Sequence, residues 1–122
     1  MDRTFLLVGA VLGFLGVALG AFGAHGLRAR LSPEMLAVFE TGVRYHMYHA
    51  LALVVTSMLM ARMTGWLVAA AGWSFVAGIV LFSGSLYALA MSGVTVLGAI
   101  TPLGGLAFLL GWAFLAVAAA AL

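Results

Sequence analysis

The chain has 122 residues, 66% of them hydrophobic and only 7% charged, with a formal net charge of +2 and no cysteine; soluble domains run at roughly 45–50% apolar and about 25% charged. These figures exclude a soluble globular protein and describe an all-α integral membrane protein, a single domain over 1–122 with room for about four helices of ~20 residues. The absence of cysteine excludes disulfides, iron–sulfur clusters and thiol catalysis. The cations are all Arg, with no basic run beyond Arg28-Ala29-Arg30, which is a topology signal and not a nucleic-acid footprint.

The first apolar stretch predicts a transmembrane helix over about 5–25. It reads as a retained helix rather than a signal peptide, because the apolar run is long and only Met1-Asp2-Arg3-Thr4 precedes it. Within it Gly9, Gly13, Gly16, Gly20 and Gly23 recur at steps of four and three, which at 100° per residue places them within about 40° of one line. One face of the helix is therefore nearly bare, a surface suited to close helix packing within the chain or between subunits.

After a polar connection, Ser32-Pro33-Glu34 reads as an N-cap, an N1 proline and a first-turn acid, opening a second helix over 33–62. Its first turns are amphipathic, with Leu36, Phe39, Val43 and Met47 on one face and Glu40, Thr41, Arg44 and Tyr48 on another. Beyond His49 it is apolar to Ala61, and Arg62 closes it. Met63-Thr64-Gly65 forms a tight connection, and Trp66 is an interfacial anchor for a third helix over about 66–90. The fourth, over 100–122, opens on Thr101-Pro102 as N-cap and N1 proline. Residues 91–101 are open between a loop packed on the bundle and an extension of that helix. Gly72, Gly78, Gly84, Gly104 and Gly111 offer smaller grooves. The expected architecture is thus a compact bundle of four transmembrane helices.

Alternation of four spans fixes which ends share a membrane face. The termini and the Arg62 connection fall on one side, and the connections at 26–32 and 91–101 on the other. Counted up from Arg62, His49 stands ~20 Å along its helix and ~10 Å inside the far boundary, with His46 slightly shallower. The apolar run 50–61 is too short to span alone, so both histidines lie at membrane depth and face protein or water rather than lipid. His25, Ser83, Ser85, Tyr87 and Thr101 arrive at the same end. A polar layer is expected there, formed by His25, Glu40, Arg44, Tyr45, His46, Tyr48, His49, Ser83, Ser85, Tyr87 and Thr101. In it Glu40 and Arg44 are i,i+4 partners placed to pair. Arg28, Arg30 and Arg44 oppose Arg3 and Arg62, a balance that puts the 26–32 connection in the cytoplasm and the termini outside.

Four segments carry a resemblance: Gly20-Ala21-Phe22-Gly23-Ala24-His25-Gly26-Leu27, Gly42-Val43-Arg44-Tyr45-His46-Met47-Tyr48-His49-Ala50-Leu51, Leu81-Phe82-Ser83-Gly84-Ser85-Leu86-Tyr87 and Ile100-Thr101-Pro102-Leu103-Gly104-Gly105. In that order they resemble the small membrane family catalogued as domain of unknown function 423, which has bacterial members and a related eukaryotic transmembrane protein. The resemblance covers essentially the whole chain and implies a four-helix membrane protein. It brings no established substrate, reaction or catalytic residue. Such families often carry Gln where this chain has His46.

The convergence of ionisable groups at one depth favours a non-enzymatic component of a bacterial inner membrane whose polar layer binds a small solute, ion, lipid headgroup or partner helix. No cofactor is predicted, and the partners expected are the bilayer and either further copies of the chain or another membrane protein. Two alternatives belong to other classes. Imidazoles from different helices, His25 and His49, can serve as axial ligands of a b-type haem, or with Met47 hold copper. A structural assembly factor would instead pack through the glycine stripe. Hydrolase chemistry is disfavoured, because Ser83 and Ser85 lie in a small-residue helical segment without an elbow or a carboxylate orienter.

Overall fold

The computed structural model of the chain describes residues 2–63 and 65–122; Thr64 of the expected tight connection lies outside them. Four long helices alternate in direction. The first, α1, runs through Asp2–Phe22 and continues in a π-helical turn, Gly23–Leu27. The second, α2, is Pro33–Leu59. The third, α3, comprises Leu67–Gly78, a second π-helical turn at Ile79–Ser83, and Gly84–Ser92. A 3-10 turn at Thr95–Ala99 leads into α4, Thr101–Ala120. Three candidate spans, Arg3–Leu27, Leu67–Ser92 and Thr95–Ala120, are long and apolar enough to cross a membrane. The 27 residues of α2 extend ~40 Å, also enough for a ~30 Å hydrocarbon core, although the polar residues of 40–49 lower its hydropathy.

The boundaries follow local chemistry. Ser32 Oγ accepts the Met35 backbone N–H at 3.2 Å, and Pro33 follows as the first helical residue, as the sequence pattern predicts. At the other end α2 closes at Leu59 and not at Arg62: the Arg62 N–H bonds back to the Leu59 carbonyl at 2.9 Å, placing Arg62 in the turn. Residues 91–101 do not form the loop packed on the bundle: α3 reaches Ser92, Gly93 caps it at φ 73°, and a 3-10 turn with no buried residue leads into α4. A left-handed residue is what the helix stop requires, and glycine adopts it without a Cβ clash. Thr101 lies inside α4 instead of capping it, and Ile100 holds the cap position without a side-chain bond. The Thr101 hydroxyl is used elsewhere, against α3.

The helices associate by close backbone approach, since lipid gives no hydrophobic drive between them. The glycine face of α1 lies along α2. A Cβ at Gly9 would meet Leu53 and the Ala50 carbonyl at 3.1 Å, one at Gly20 would meet Val43 at 3.3 Å, and one at Gly23 would meet the Phe39 ring at 3.0 Å. At Gly16 it would collide with the Met47 sulfur, whereas Gly13 has open space. The deep core at the terminal end, Phe5, Ala52, Leu53, Ala71, Phe75, Ile79 and Phe108, repeats the device with rings. Phe5 fills the gap at Gly72, Phe108 that at Gly78 and Phe75 that at Gly111. A smaller cluster of Leu27, Phe39 and Ala90 closes the opposite end, where α1 ends, α2 begins and α3 ends.

Candidate functional site

A subset of the polar residues joins one helix to another. His46 is 3% exposed and sits on α2 facing both neighbours. Its Nε2 lies 2.7 Å from the Leu12 carbonyl of α1 and its Nδ1 lies 2.8 Å from the Tyr87 hydroxyl of α3. A carbonyl only accepts, so Nε2 carries the hydrogen; in the neutral ring Nδ1 then accepts from Tyr87. The approach to Leu12 depends on Gly16, where an added Cβ would stand 3.3 Å from the imidazole. Three helices are thus joined through one side chain.

The same pattern recurs around it. Ser83, fully buried, donates from the second π-helical turn to the Gly42 carbonyl of α2 at 2.7 Å. Ser85 and Thr101 share a hydroxyl hydrogen bond of 2.6 Å between α3 and α4. His49, 4% exposed, donates from Nδ1 to the Tyr45 carbonyl at 2.7 Å and accepts the Trp112 indole N–H of α4 at 3.1 Å. Indole nitrogen is donor only and a carbonyl acceptor only, so this geometry specifies the neutral Nδ1–H tautomer; an imidazolium would set two N–H groups against each other. Among the described residues no buried side-chain polar atom lacks a partner. Thr56, Ser57 and Ser74, in the more apolar half, bond only to carbonyls of their own helices.

The expected polar layer therefore divides. His46, Tyr87, Ser83, Ser85 and Thr101 form the interhelical ties. Tyr45, Tyr48 and His49 join Phe82, Gly105, Phe108, Leu109 and Trp112 around a groove of about 380 Å³ between α2 and α4. Its walls are rings: His49 stacks on Phe108 at 3.6 Å and 9°, and Tyr45 packs against Phe82 at 4.8 Å. Tyr48 and Trp112 are about half exposed. Glu40 and Arg44 line a separate cleft of about 240 Å³ between α1 and α2, with Gly20, Gly23, Phe39 and Val43. The pairing expected of these two charges is not formed among the described residues. His25 is exposed in the π-helical turn that ends α1 and joins neither depression.

No group of three or more His, Asp or Glu side chains comes together among the described residues. The neutral tautomers leave neither His46 nor His49 a free lone pair, since Tyr87 and Trp112 occupy them. Metal or haem ligation by His49 would require Trp112 to withdraw. The serine hydroxyls are likewise engaged, Ser83 with Gly42 and Ser85 with Thr101 and the Phe82 carbonyl.

Residue patterning did not point to Trp112, Phe82 or Phe108. The signal available was depth, because Trp112 stands ~16 Å along α4 from Thr101, where an indole N–H must find an acceptor inside protein.

A family model described as "Protein of unknown function (DUF423)" matches residues 19–105. The chain belongs to this family. Among curated relatives, the UPF0382 membrane protein YwdK of Bacillus subtilis is 52% identical over 118 residues, covering 96% of each chain. UPF0382 membrane proteins of Staphylococcus haemolyticus and Staphylococcus epidermidis are 44% identical over 94% of this chain and 93% of theirs, and 46% identical over 95% and 94%. No solved structure matches. The DUF423 match runs from the end of α1 to the start of α4 and so includes all of the interhelical ties except Leu12 and Trp112. The relatives' names agree with an integral membrane protein of bacterial type.

Proposed function

We propose that the chain is a non-enzymatic membrane component that takes an acyl-chain amphiphile from the lipid phase into the groove between α2 and α4. The groove carries this reading: about 380 Å³ falls within the roughly 300–1,000 Å³ of small-molecule sites, and its walls are aromatic and aliphatic with the phenols of Tyr45 and Tyr48 among them. A freely diffusing ion or polar solute is less well served, because the buried hydrogen-bonding groups are already satisfied within the bundle.

Gly105 provides the test. Gly105 lines the groove, and a Cβ there would meet only Phe82 Cδ2, at the ordinary contact distance of 3.9 Å, so Gly105→Leu is the substitution chosen to fill it. In a protein whose sole tryptophan is Trp112, with Trp66 and Trp73 replaced by Phe, a brominated fatty acid is expected to quench fluorescence saturably. Gly105→Leu should weaken that binding about tenfold or more while the unfolding temperature stays within a few degrees. Unsaturable quenching of equal size in both proteins would sink the proposal.

Residence in the inner membrane with both termini outside is supported by Arg28, Arg30 and Arg44 on one side against Arg3 and Arg62 on the other. A C-terminal alkaline phosphatase fusion should then be active and a C-terminal fluorescent-protein fusion dark; the reverse pattern requires the inverted orientation.

A further inference from the structure

The cleft between α1 and α2 has a different chemistry from the aromatic groove and an independent use. On its floor two glycines of α1 face apolar side chains of α2, Gly20 against Val43 and Gly23 against Phe39. Its rim carries Glu40 and Arg44, one helical turn apart, both exposed, and not paired with each other among the described residues. Arg28, beyond the end of α1, is not among the lining residues and donates from Nε to the Ala24 carbonyl at 3.3 Å. Glu40 lies ~10 Å along α2 from Pro33, and Gly20 lies ~10 Å before the end of α1 at Leu27. The cleft therefore sits just inside one membrane boundary, at the depth where phospholipid headgroups pass into chains.

An anion and a cation held side by side over an apolar floor complement a zwitterion attached to a chain. We propose that this cleft binds the headgroup of a phospholipid bearing a primary ammonium, with the phosphate on the Arg44 guanidinium and the ammonium on the Glu40 carboxylate. The planar guanidinium donates two parallel hydrogen bonds to phosphate oxygens, and the ammonium donates N–H bonds to the carboxylate. A choline headgroup has no N–H to donate, and a phosphoglycerol headgroup brings no cation to Glu40. Both should bind less well than the amine. The Gly20 and Gly23 floor lets the first carbons of the chain approach the α1 backbone.

Native mass spectrometry of the detergent-solubilised full chain tests this, using phosphatidylethanolamine, phosphatidylcholine and phosphatidylglycerol of identical chains. The wild type should retain the ethanolamine lipid about tenfold more strongly than the choline lipid. Glu40→Gln should abolish that preference, and Arg44→Gln should lower retention of all three lipids. Equal retention of the three by the wild type, or an unchanged preference in Glu40→Gln, overturns the assignment. Both substitutions are at exposed positions, and unchanged unfolding temperatures would show that the fold is intact. Gly105→Leu, which blocks only the other groove, should leave the preference untouched; its loss in that variant would move the headgroup site away from Glu40 and Arg44. Failure here is thus distinguishable from failure of the fatty-acid groove.

Discussion

Gly104→Ala is expected to destabilise the bundle by about 3 kcal/mol or more, at the upper end of overpacking effects, and to cut the yield of folded protein. The new Cβ would stand against the backbone nitrogen of Phe82 and 2.7 Å from its Cα. Backbone cannot rotate away as a side chain can. The contact falls on the π-helical turn Ile79–Ser83, whose Ser83 hydroxyl is bonded to the Gly42 carbonyl, so a shift there also strains the tie to α2. Gly105→Ala, one residue along, meets only ordinary contact and should be near neutral. Thermal unfolding of the two variants in the same detergent compares them directly, and equal melting temperatures would refute the close approach of α3 and α4 at Gly104.

His46→Leu should cost about 2–3 kcal/mol, whereas His46→Gln should stay within about 1 kcal/mol of the parent. The leucine removes two interhelical hydrogen bonds, to Leu12 and Tyr87. Such bonds in membrane proteins average about 0.6 kcal/mol with a maximum near 1.7, and an unpaired hydroxyl left inside the bundle adds roughly 1–3. The Leu12 carbonyl loses less, since it lies within a helix. Glutamine offers one amide donor for Leu12 and one carbonyl acceptor for Tyr87, the same functional pair as the Nε2–H tautomer. A double-mutant cycle with Tyr87→Phe should show coupling for His46→Leu, because both changes break the same bond. Additive effects would mean that the imidazole and the phenol do not act together.

Most of the fold was legible in the sequence because each signal was local. Ser32-Pro33 announces the start of α2, the glycine spacing announces a bare face on α1, and apolar length announces the spans. Thr101 misled for the same reason: Thr-Pro is a sound local signal for a cap, but the hydroxyl found a stronger use against Ser85 on α3. Depth counting correctly drew His46 and His49 into the protein interior. It could not separate their tasks, because rotation about α2 decides that His46 faces α1 and α3 while His49 faces α4. Glu40 and Arg44 show the limit of spacing rules, since i,i+4 adjacency permits a pair without compelling one at an exposed surface.

By itself, then, the sequence determined that this is a helical membrane protein, roughly where its helices begin and end, and that its polar groups gather toward one end. Composition and periodicity suffice for this, because a backbone in lipid must bond within its own segment. Only the tertiary structure decided how the gathered groups divide: ties between helices, an aromatic groove between α2 and α4, and a charged cleft between α1 and α2, with His25 in none of them. That division depends on helix rotation and on contacts of Å precision, such as Gly16 admitting His46 and Gly104 admitting Phe82. No pattern confined to one helix encodes such distances, since each is set jointly by two.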